Sequence, residues 1–200
     1  MDIILAAGTQ TRWNHKQFPN VPKIKQLVKV DGGVLIEVIQ KQFDDPVVVT
    51  HDKEIRLKSK KVFRPTHNEC TIATLFSTCD MWYEWTTILL GDVLYGEETI
   101  KLIKGQTDKL MFYGDKGEIY AIKWHKDVNA LILYCINKMI NAEYWSPKFG
   151  KLWNLYRTII GRDFRLAYIP DKYFTFVSDC RDFDNQEQYL KYAQNKGLYK

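Results

Sequence analysis

The chain lacks any apolar run long enough to cross a membrane, since nowhere do about 18 uncharged apolar residues follow one another. Its first residues, Met1 to Gly8, combine an acid with a short apolar run, which is not typical of a secretory leader. The four cysteines form no CxxC pair, and although His67 and Cys70 are close in sequence, no second ligand pair favours zinc. We therefore expect a soluble, cytoplasmic protein with reduced thiols and no membrane partner.

A strong charge of one sign is also missing. The 29 Lys and Arg residues exceed the 24 Asp and Glu residues by a net charge of +5, which would attract phosphates but falls short of a polybasic nucleic-acid binder. The 46% hydrophobic and 26% charged residues are close to the globular average and exclude disorder, collagen and coiled coil. We expect one domain, residues 1–200, with small anionic partners and no nucleic acid, and the sequence leaves open whether it forms a homo-oligomer.

Short β-branched runs alternate with helical patterns along the chain. Ile3 to Ala6 is an apolar run that ends before Gly8, as in a buried strand that leads into a loop, and a helical pattern follows from Val34 to Gln42. Further strands are predicted at 46–50, 61–63, 86–90, 164–169 and 174–177, and further helical stretches at 52–60, 71–79, 128–141, 151–160 and 185–195. The alternation predicts a three-layer α/β/α fold with a mostly parallel central sheet.

The second half of the chain has a different pattern. Two strand-like runs, 109–113 and 118–124, flank the turn residues 114–117, which predicts a hairpin. Ligands of open α/β sheets bind outside the carboxyl ends of the strands. The loops after Ala6 and after Leu90 are therefore expected to open onto one edge of the sheet, in a cleft whose other side the hairpin supplies.

The loop after the first strand carries the clearest chemical signal. Small residues after a buried strand let backbone amides approach a ligand closely, and successive amides can bind phosphate oxygens. Arg12, at the end of this loop, adds a bidentate phosphate ligand. The segment matches neither GxxxxGKS nor GxGxxG, so the P-loop and dinucleotide fingerprints are absent.

Five segments in order resemble the nucleotidyltransferases of GT-A-like fold, which activate sugar phosphates and related phosphate monoesters. Leu5 to Arg12 is similar to their LAAGxGTR loop, Lys25 to Ile36 to the PKxL element with its GKPLI-like helix start, and Asn68 to Leu75 to the GTAxAL segment that recognises the base. Gly91-Asp92 resembles the Gly-Asp at a strand end, and Asp182 to Glu187 the terminal DxDTPED element. The resemblance covers roughly residues 3 to 190, and five segments in register are more specific than any one alone.

The resemblance implies an Mg²⁺-dependent transfer of a nucleoside monophosphate from a nucleoside triphosphate to a phosphorylated acceptor, with release of pyrophosphate. It implies catalytic roles for Arg12 and Lys25 and metal ligation by Asp92 and Asp184, and it divides the domain into a nucleotide-binding half, 1–105, and an acceptor-binding half, 106–200. The implied nucleotide-binding residues are Leu5, Ala6, Ala7, Gly8, Thr9, Gln10, Thr11, Lys23, Thr71 and Ala73. Lys123 and Trp124, at the end of the hairpin, are candidates for acceptor binding.

Three features depart from the family pattern. Gln10 stands where the second loop glycine is expected, and Asn185-Gln186 stand where Thr-Pro is expected. Pro22-Lys23 has the family spacing from Arg12, whereas Lys25 fits the downstream register, and we prefer Lys25. Asp182 and Asp179 compete with Asp184 for the second metal position, and Asp184 could equally cap the last helix.

Alternative functions follow from these features. The expected acceptor is a sugar phosphate, but abundant aromatic residues could include a cage for a quaternary ammonium group, which keeps phosphocholine with CTP as an alternative; the candidates are Trp13, Trp82, Tyr83, Trp85, Trp124, Tyr144 and Trp145. The altered segments also allow a nucleotide-binding module without catalysis. A glycosyltransferase is disfavoured because Leu90 to Val93 lacks DxD. The sequence identifies neither the base nor the acceptor.

Overall fold

A seven-stranded sheet forms the centre of the computed structural model, which describes residues 1–8, 13, 18–141, 149–162 and 172–198. The sheet strands are β1 (Asp2–Leu5), β4 (Val47–Val49), β5 (Val62–Phe63), β6 (Trp85–Leu90), β8 (Leu110–Gly114), β9 (Ile119–His125) and β10 (Phe174–Phe176). Their order across the sheet is β10-β8-β9-β6-β1-β4-β5. Four of the six strand pairs are parallel, and only β9 runs against its neighbours β6 and β8. The sheet is therefore mostly parallel, as expected.

Helices cover both faces of the sheet. They are α1 (Leu35–Gln42), α2 (Lys53–Leu57), α3 (Thr71–Phe76), α4 (Glu97–Gly105), α5 (Asn129–Asn141), α6 (Leu152–Ile159) and α7 (Gln186–Asn195). Successive side chains of a strand point to opposite faces, so Ile4 packs into the core shared with α1, α2, α4 and α7, whereas Ile3 packs into the core shared with α3, α5 and α6. This arrangement confirms the three-layer α/β/α prediction.

Two small antiparallel ribbons lie outside the main sheet. One joins β2 (Lys29–Val30) to β3 (Gly33–Val34), and the other joins β7 (Val93–Leu94) to β11 (Arg181–Asp182). The second ribbon links segments far apart in the chain, and its strands are too short to produce a sequence pattern. It was not predicted, and it determines the geometry of the site described below.

Most predicted elements are observed within a few residues of their predicted bounds. The hairpin forms from β8 and β9, and α6 ends ahead of Gly161, whose positive φ of 67° identifies it as the predicted C-terminal cap. Helix α4 was not predicted. The strand predicted at 164–169 lies outside the described residues, and no helix of the described part is long and apolar enough to span a membrane.

Candidate functional site

The carboxyl ends of β1 and β6 lie side by side in the middle of the sheet. The two strands are parallel, with Leu5 opposite Leu90, and the backbone N–H of Gly91 donates to the carbonyl oxygen of Leu5 at 2.9 Å. The loops that follow both strands therefore open onto one edge, as predicted from the sequence.

Gly91 is required by this close approach. A Cβ atom at this position would lie 2.9 Å from Ala6 Cβ, 2.9 Å from the carbonyl oxygen of Leu5 and 3.1 Å from Ile4 Cγ2. Since two of these neighbours belong to the backbone or to a buried alanine, they cannot move aside cheaply. The absence of a side chain at Gly91 brings Asp92 directly beside the end of β1.

The start of the predicted phosphate-binding loop is held against β4. The Ala6 N–H donates to the Val49 carbonyl oxygen at 2.9 Å, and the Thr50 hydroxyl donates to the Ala6 carbonyl oxygen at 3.0 Å. Ala7 is partly buried and Gly8 is exposed, so the chain leaves the sheet at this point. The remaining loop residues, Thr9, Gln10, Thr11 and Arg12, lie outside the described residues.

A ribbon at the same edge brings Asp182 beside Asp92. Asp92 immediately precedes β7, and Asp182 is paired with Val93 across the antiparallel β7–β11 ladder. The two aspartates, remote in sequence, therefore share one corner of the sheet edge. Asp184 lies beyond this ladder, and its backbone N–H donates to Gln188 Oε1 at 2.8 Å.

Lys25 joins the two carboxylates. It begins a short 3₁₀ turn, Lys25–Leu27, and only 6% of its surface is exposed. Its Nζ lies 3.2 Å from Asp92 Oδ2 and also forms an ion pair with Asp182 Oδ1. Lys23, the competing lysine, is exposed to solvent. The structure thus brings Lys25, Asp92 and Asp182 together, and Asp182 is one of the two aspartates that the sequence analysis had named as competitors of Asp184.

The three charges perturb one another. Burial alone would lower the pKa of Lys25, but the charges of Asp92 and Asp182 outweigh it, so the pKa of Lys25 is raised. Burial and the negative charge of Asp92 raise the pKa of Asp182 to about 6, although Lys25 acts in the opposite direction. The side chains of Lys25, Asp92 and Asp182 together carry a net negative charge when both carboxyl groups are ionised, which favours an additional cation.

Side chains of helix α7 form hydrogen bonds to the backbone of the segment that carries Lys25. The buried side chain of Gln186 accepts the backbone N–H of Phe18 at 2.8 Å, and the Tyr189 hydroxyl donates to the carbonyl oxygen of Lys29 at 3.1 Å. These bonds lie on either side of Lys25 in the chain. The residue before this helix, Asn185, accepts the Gln188 N–H through its side chain at 3.0 Å, so Asn185 provides the N-cap that had also been considered for Asp184.

Thr71 and Ala73 lie in the first turn of α3, which packs against β1. The helix is capped by Cys70, whose Sγ accepts the Ala73 N–H at 3.4 Å. Ala73 is fully buried and Thr71 is partly exposed. Ala73 therefore packs in the interior, and Thr71 keeps access to solvent.

Lys123 and Trp124 are not brought to this edge. They pair with Thr87 and Thr86 near the start of β6, towards the opposite end of that strand from Asp92. Trp124 is fully buried and donates from Nε1 to Asn129 Oδ1 at 2.7 Å. Lys123 donates from Nζ to the carbonyl oxygens of residues 103 and 104 at the end of α4, at 2.8 and 3.0 Å. Both side chains have structural partners in this arrangement.

The aromatic candidates for a cage have different surroundings, and Trp85 packs against His125. Trp13 is buried against Tyr189, Trp82 packs edge-on against Trp124, and Tyr83 is exposed. Tyr144 and Trp145 lie outside the described residues.

A cavity of about 400 Å³ lies at the carboxyl edge next to the hairpin turn. It is lined by Asp115, Lys116, Phe176, Val177, Ser178 and Cys180. Cys180 immediately precedes the strand that carries Asp182, so the cavity adjoins that strand on the hairpin side. The sequence analysis had placed the acceptor side on this hairpin but had named residues at its far end.

Tyr95 lies between the end of β6 and the hairpin, and the sequence analysis did not single it out. Its buried hydroxyl lies 2.7 Å from the carbonyl oxygen of Tyr120 and 3.2 Å from that of Leu90, and it links the end of β6 to the start of β9. An isolated tyrosine gives no sequence signal for such a role, because both partners are backbone atoms distant in the chain.

Comparison with solved structures gives clear similarities of fold. The chain is 15% identical to the CTP:phosphocholine cytidylyltransferase LicC from Streptococcus pneumoniae, with a TM-score of 0.69 over 99% of this chain and 98% of that one. The predicted fold is confirmed. The inositol-1-phosphate CTP transferase from T. maritima gives a TM-score of 0.63 at 11% identity, over 94% and 90% of the two chains. HddC from Yersinia pseudotuberculosis gives 0.56 at 14% identity, over 98% of each chain.

Sequence comparison alone does not detect this similarity. No family model matches the chain, and no curated protein matches it. The chain thus has the fold of these nucleotidyltransferases. Because the sequence identity is low, evidence for an activity must come from the residues of its own site.

Proposed function

We propose that the chain is an Mg²⁺-dependent nucleotidyltransferase that transfers a nucleoside monophosphate from a nucleoside triphosphate to a phosphorylated acceptor and releases pyrophosphate. The observation that carries this proposal is the contact of Lys25 with both Asp92 and Asp182 at the carboxyl edge, next to the loop that begins at Ala6. Two proteins of the same fold are named for cytidylyl transfer, to phosphocholine and to inositol-1-phosphate, which are both phosphate monoesters.

The proposed reaction requires the protein mainly to position two anions. An oxygen of the acceptor phosphate forms a bond to the α-phosphorus of the triphosphate, and the bond from that phosphorus to the pyrophosphate breaks in line. The acceptor phosphate is already ionised, so no general base is needed. Orientation of the two substrates and neutralisation of the developing charge account for the catalysis.

The donor set fits a divalent cation. One cationic atom, Lys25 Nζ, already contacts oxygens of both carboxylates, so Asp92 and Asp182 can meet at a single cation. Mg²⁺ commonly uses one or two protein carboxylates and takes its other ligands from phosphates and water, so two aspartates are a sufficient protein donor set for this ion. When bound there, Mg²⁺ would neutralise charge on the phosphate oxygens. Asp184 stays a predicted ligand.

Lys25 has the charge and the position for the α-phosphate. Its ammonium lies at the corner where β1, β6 and the β7–β11 ribbon meet, and it contacts both carboxylates. A triphosphate bound at Ala6 to Gly8 would give this ammonium a new anionic partner. Arg12, from the loop outside the described residues, is expected to bind the departing phosphates.

The acceptor is proposed to occupy the hairpin side of the edge, with a sugar phosphate as the main expectation and phosphocholine as the alternative. The cavity lined by residues of the hairpin turn and of the segment after β10 supports this placement. It offers Lys116 together with the exposed ring of Phe176, while the Asp115 carboxylate accepts hydrogen bonds from the turn and from the Tyr120 hydroxyl.

A pyrophosphate-release assay tests the proposed function. The purified protein is incubated with Mg²⁺, each of the four common triphosphates, and a panel of sugar phosphates and phosphocholine. We expect release with one triphosphate and one acceptor, and a loss of at least about 100-fold in K25Q, because a buried charge of the site is removed. K61Q, which alters an exposed ion pair with Asp45, should match the wild type.

Further variants assign the remaining roles. A larger loss in K25Q than in K23Q would identify Lys25 as the catalytic lysine, and the same comparison between D182N and D184N would identify the second carboxylate. Triphosphate binding by calorimetry without turnover over the whole panel would instead identify a nucleotide-binding module without catalysis. If the protein shows no turnover and also binds no triphosphate, the proposal is contradicted.

A further inference from the structure

The start of α4 is capped by a residue from a distant segment of the chain. Asp179 Oδ2 accepts the backbone N–H groups of Glu98 and Thr99 at 3.0 and 3.3 Å, and Asp179 Oδ1 accepts the Thr99 hydroxyl. Gly96, at the N-cap position, has no side chain to make these bonds. An aspartate that follows β10 therefore takes the role that the residue before the helix usually has.

Gly96 makes this approach possible. A Cβ atom at this position would overlap the carboxyl group of Asp179 and would lie 2.6 Å from its carbonyl oxygen. Cys180 contacts the same helix start, through the backbone of Gly96 and the side chain of Thr99. Two consecutive residues of the segment are thus fixed on the beginning of α4.

The same two segments meet again at the site. The β7–β11 ladder pairs Val93 with Asp182 and Leu94 with Arg181, so residues on both sides of the carboxylate pair are attached to one another. The ladder has only two residue pairs and would be weak alone. The hydrogen bonds of Asp179 to the start of α4 lie immediately beyond this ladder. They form a second attachment between the chain that follows Asp92 and the chain that precedes Asp182.

We propose that Asp179 is a positioning residue: by capping α4 against Gly96, it holds Asp182 beside Asp92 and Lys25. Both of its carboxylate oxygens are used by the helix start, so its role differs from the metal ligation considered for it from the sequence. The inference rests on the proposed function, because the aligned carboxylates are taken to serve a divalent cation.

Three variants test this role with Mn²⁺ as the probe, measured by the loss of the free-ion electron paramagnetic resonance signal. D179A and G96A should each weaken Mn²⁺ binding by roughly 10- to 100-fold, the usual effect of losing a residue that orients a metal ligand. G96A retains every charge, so a loss in this variant reports position rather than electrostatic attraction. D179N retains one acceptor oxygen and should lose less than D179A.

A second measurement does not need the metal. The buried ammonium of Lys25 bonds to Asp92 and Asp182 without any ion, and its ¹⁵N–¹H NMR signal should be protected from exchange in the wild type and lost in D179A. If the wild type neither binds Mn²⁺ nor releases pyrophosphate, the proposed function fails, and the Lys25 signal alone decides whether Asp179 positions Asp182.

D52A is the matched control. Asp52 caps α2 with two backbone bonds of the same kind, to Glu54 at 2.8 Å and to Ile55 at 3.0 Å. It should lower Tm comparably to D179A and leave both Mn²⁺ affinity and the Lys25 signal unchanged. The inference would be overturned if folded D179A kept the Mn²⁺ affinity and the Lys25 signal of the wild type. It would also be overturned if D52A lost as much Mn²⁺ affinity and Lys25 signal as D179A. If G96A does not fold, the comparison of D179A and D179N with the wild type is sufficient to test the inference.

Discussion

Lys25 contacts two carboxylates, Asp92 and Asp182, at the edge of the sheet, and these three ionised side chains carry a net negative charge. Lys25 is almost fully buried, and its two partners have side chains that are 35% and 17% exposed. Removing such groups from water costs free energy that one ammonium offsets only in part. The cluster is therefore better suited to binding a further cation than to stabilising the fold.

The raised pKa of Asp182 predicts a pH-dependent difference between the wild type and D182N. Because the folded state raises this pKa to about 6, Asp182 contributes stability below its ordinary pKa near 3.8, and this contribution is lost as the pH rises through 6. Asn does not titrate. The free energy of unfolding of D182N relative to the wild type should increase by about 2 kcal/mol from pH 4 to pH 8, a value reduced for partial exposure.

Urea unfolding at the two pH values, without divalent ions, measures this difference. D45N removes an exposed carboxylate that pairs with Lys61, and its difference from the wild type should be small at both pH values. A D182N difference that does not change with pH would show that Asp182 is ionised without cost in the folded protein.

At the scale of elements, the ends of β1 and β6 determine where the site lies. The chain directly after β6 stays close to the end of β1 because Gly91 has no side chain, and Asp92 follows at this point. Parallel pairing brings both carboxyl ends to one edge, and the short β7–β11 ribbon adds the second carboxylate.

G91A should therefore disturb this junction. The added methyl group would contact a buried alanine, a backbone oxygen and Ile4, and we expect a loss of about 1–3 kcal/mol in the free energy of unfolding. G105A adds a methyl group at the end of α4, where no atom lies within 4 Å, and should be neutral or stabilising by up to about 0.5 kcal/mol. Thermal or urea unfolding of both variants tests the comparison, and equal effects would contradict the close approach at Gly91.

Helix α4 shows why one element escaped prediction from the sequence. Its first turn has two glutamates but no capping side chain at Gly96, so the usual start signal is missing. The cap comes from Asp179, which a local pattern cannot reveal.

At the scale of the whole molecule, one sheet crosses the boundary between the predicted nucleotide-binding and acceptor-binding halves. Strand β6 belongs to the first half and pairs with β9 of the second. Helices α5 and α6 of the second half cover Ile3, Leu5 and Ile88 of the first. The two halves therefore share a core, and the single domain remains a prediction.

A fragment of residues 1–105 should consequently not fold by itself. It would expose the edge of β6 and one apolar face of the sheet, and both features promote aggregation. Far-UV circular dichroism and thermal unfolding of the fragment, beside the full chain, test this expectation. A cooperative unfolding transition in the fragment would show two independent units.

The sequence by itself determined the order of the main strands and helices, because alternating apolar runs and helical periodicity are local properties. It also placed Gly91-Asp92 and the loop that begins at Ala6 directly after strands, because the apolar runs that precede them are local signals. Tertiary structure decided which of two lysines is buried in the site, which aspartate lies beside Asp92, and which aspartate caps α4 instead. These choices depend on contacts between segments far apart in the chain, where pairing register and close backbone approach, rather than neighbouring residues, place a charge.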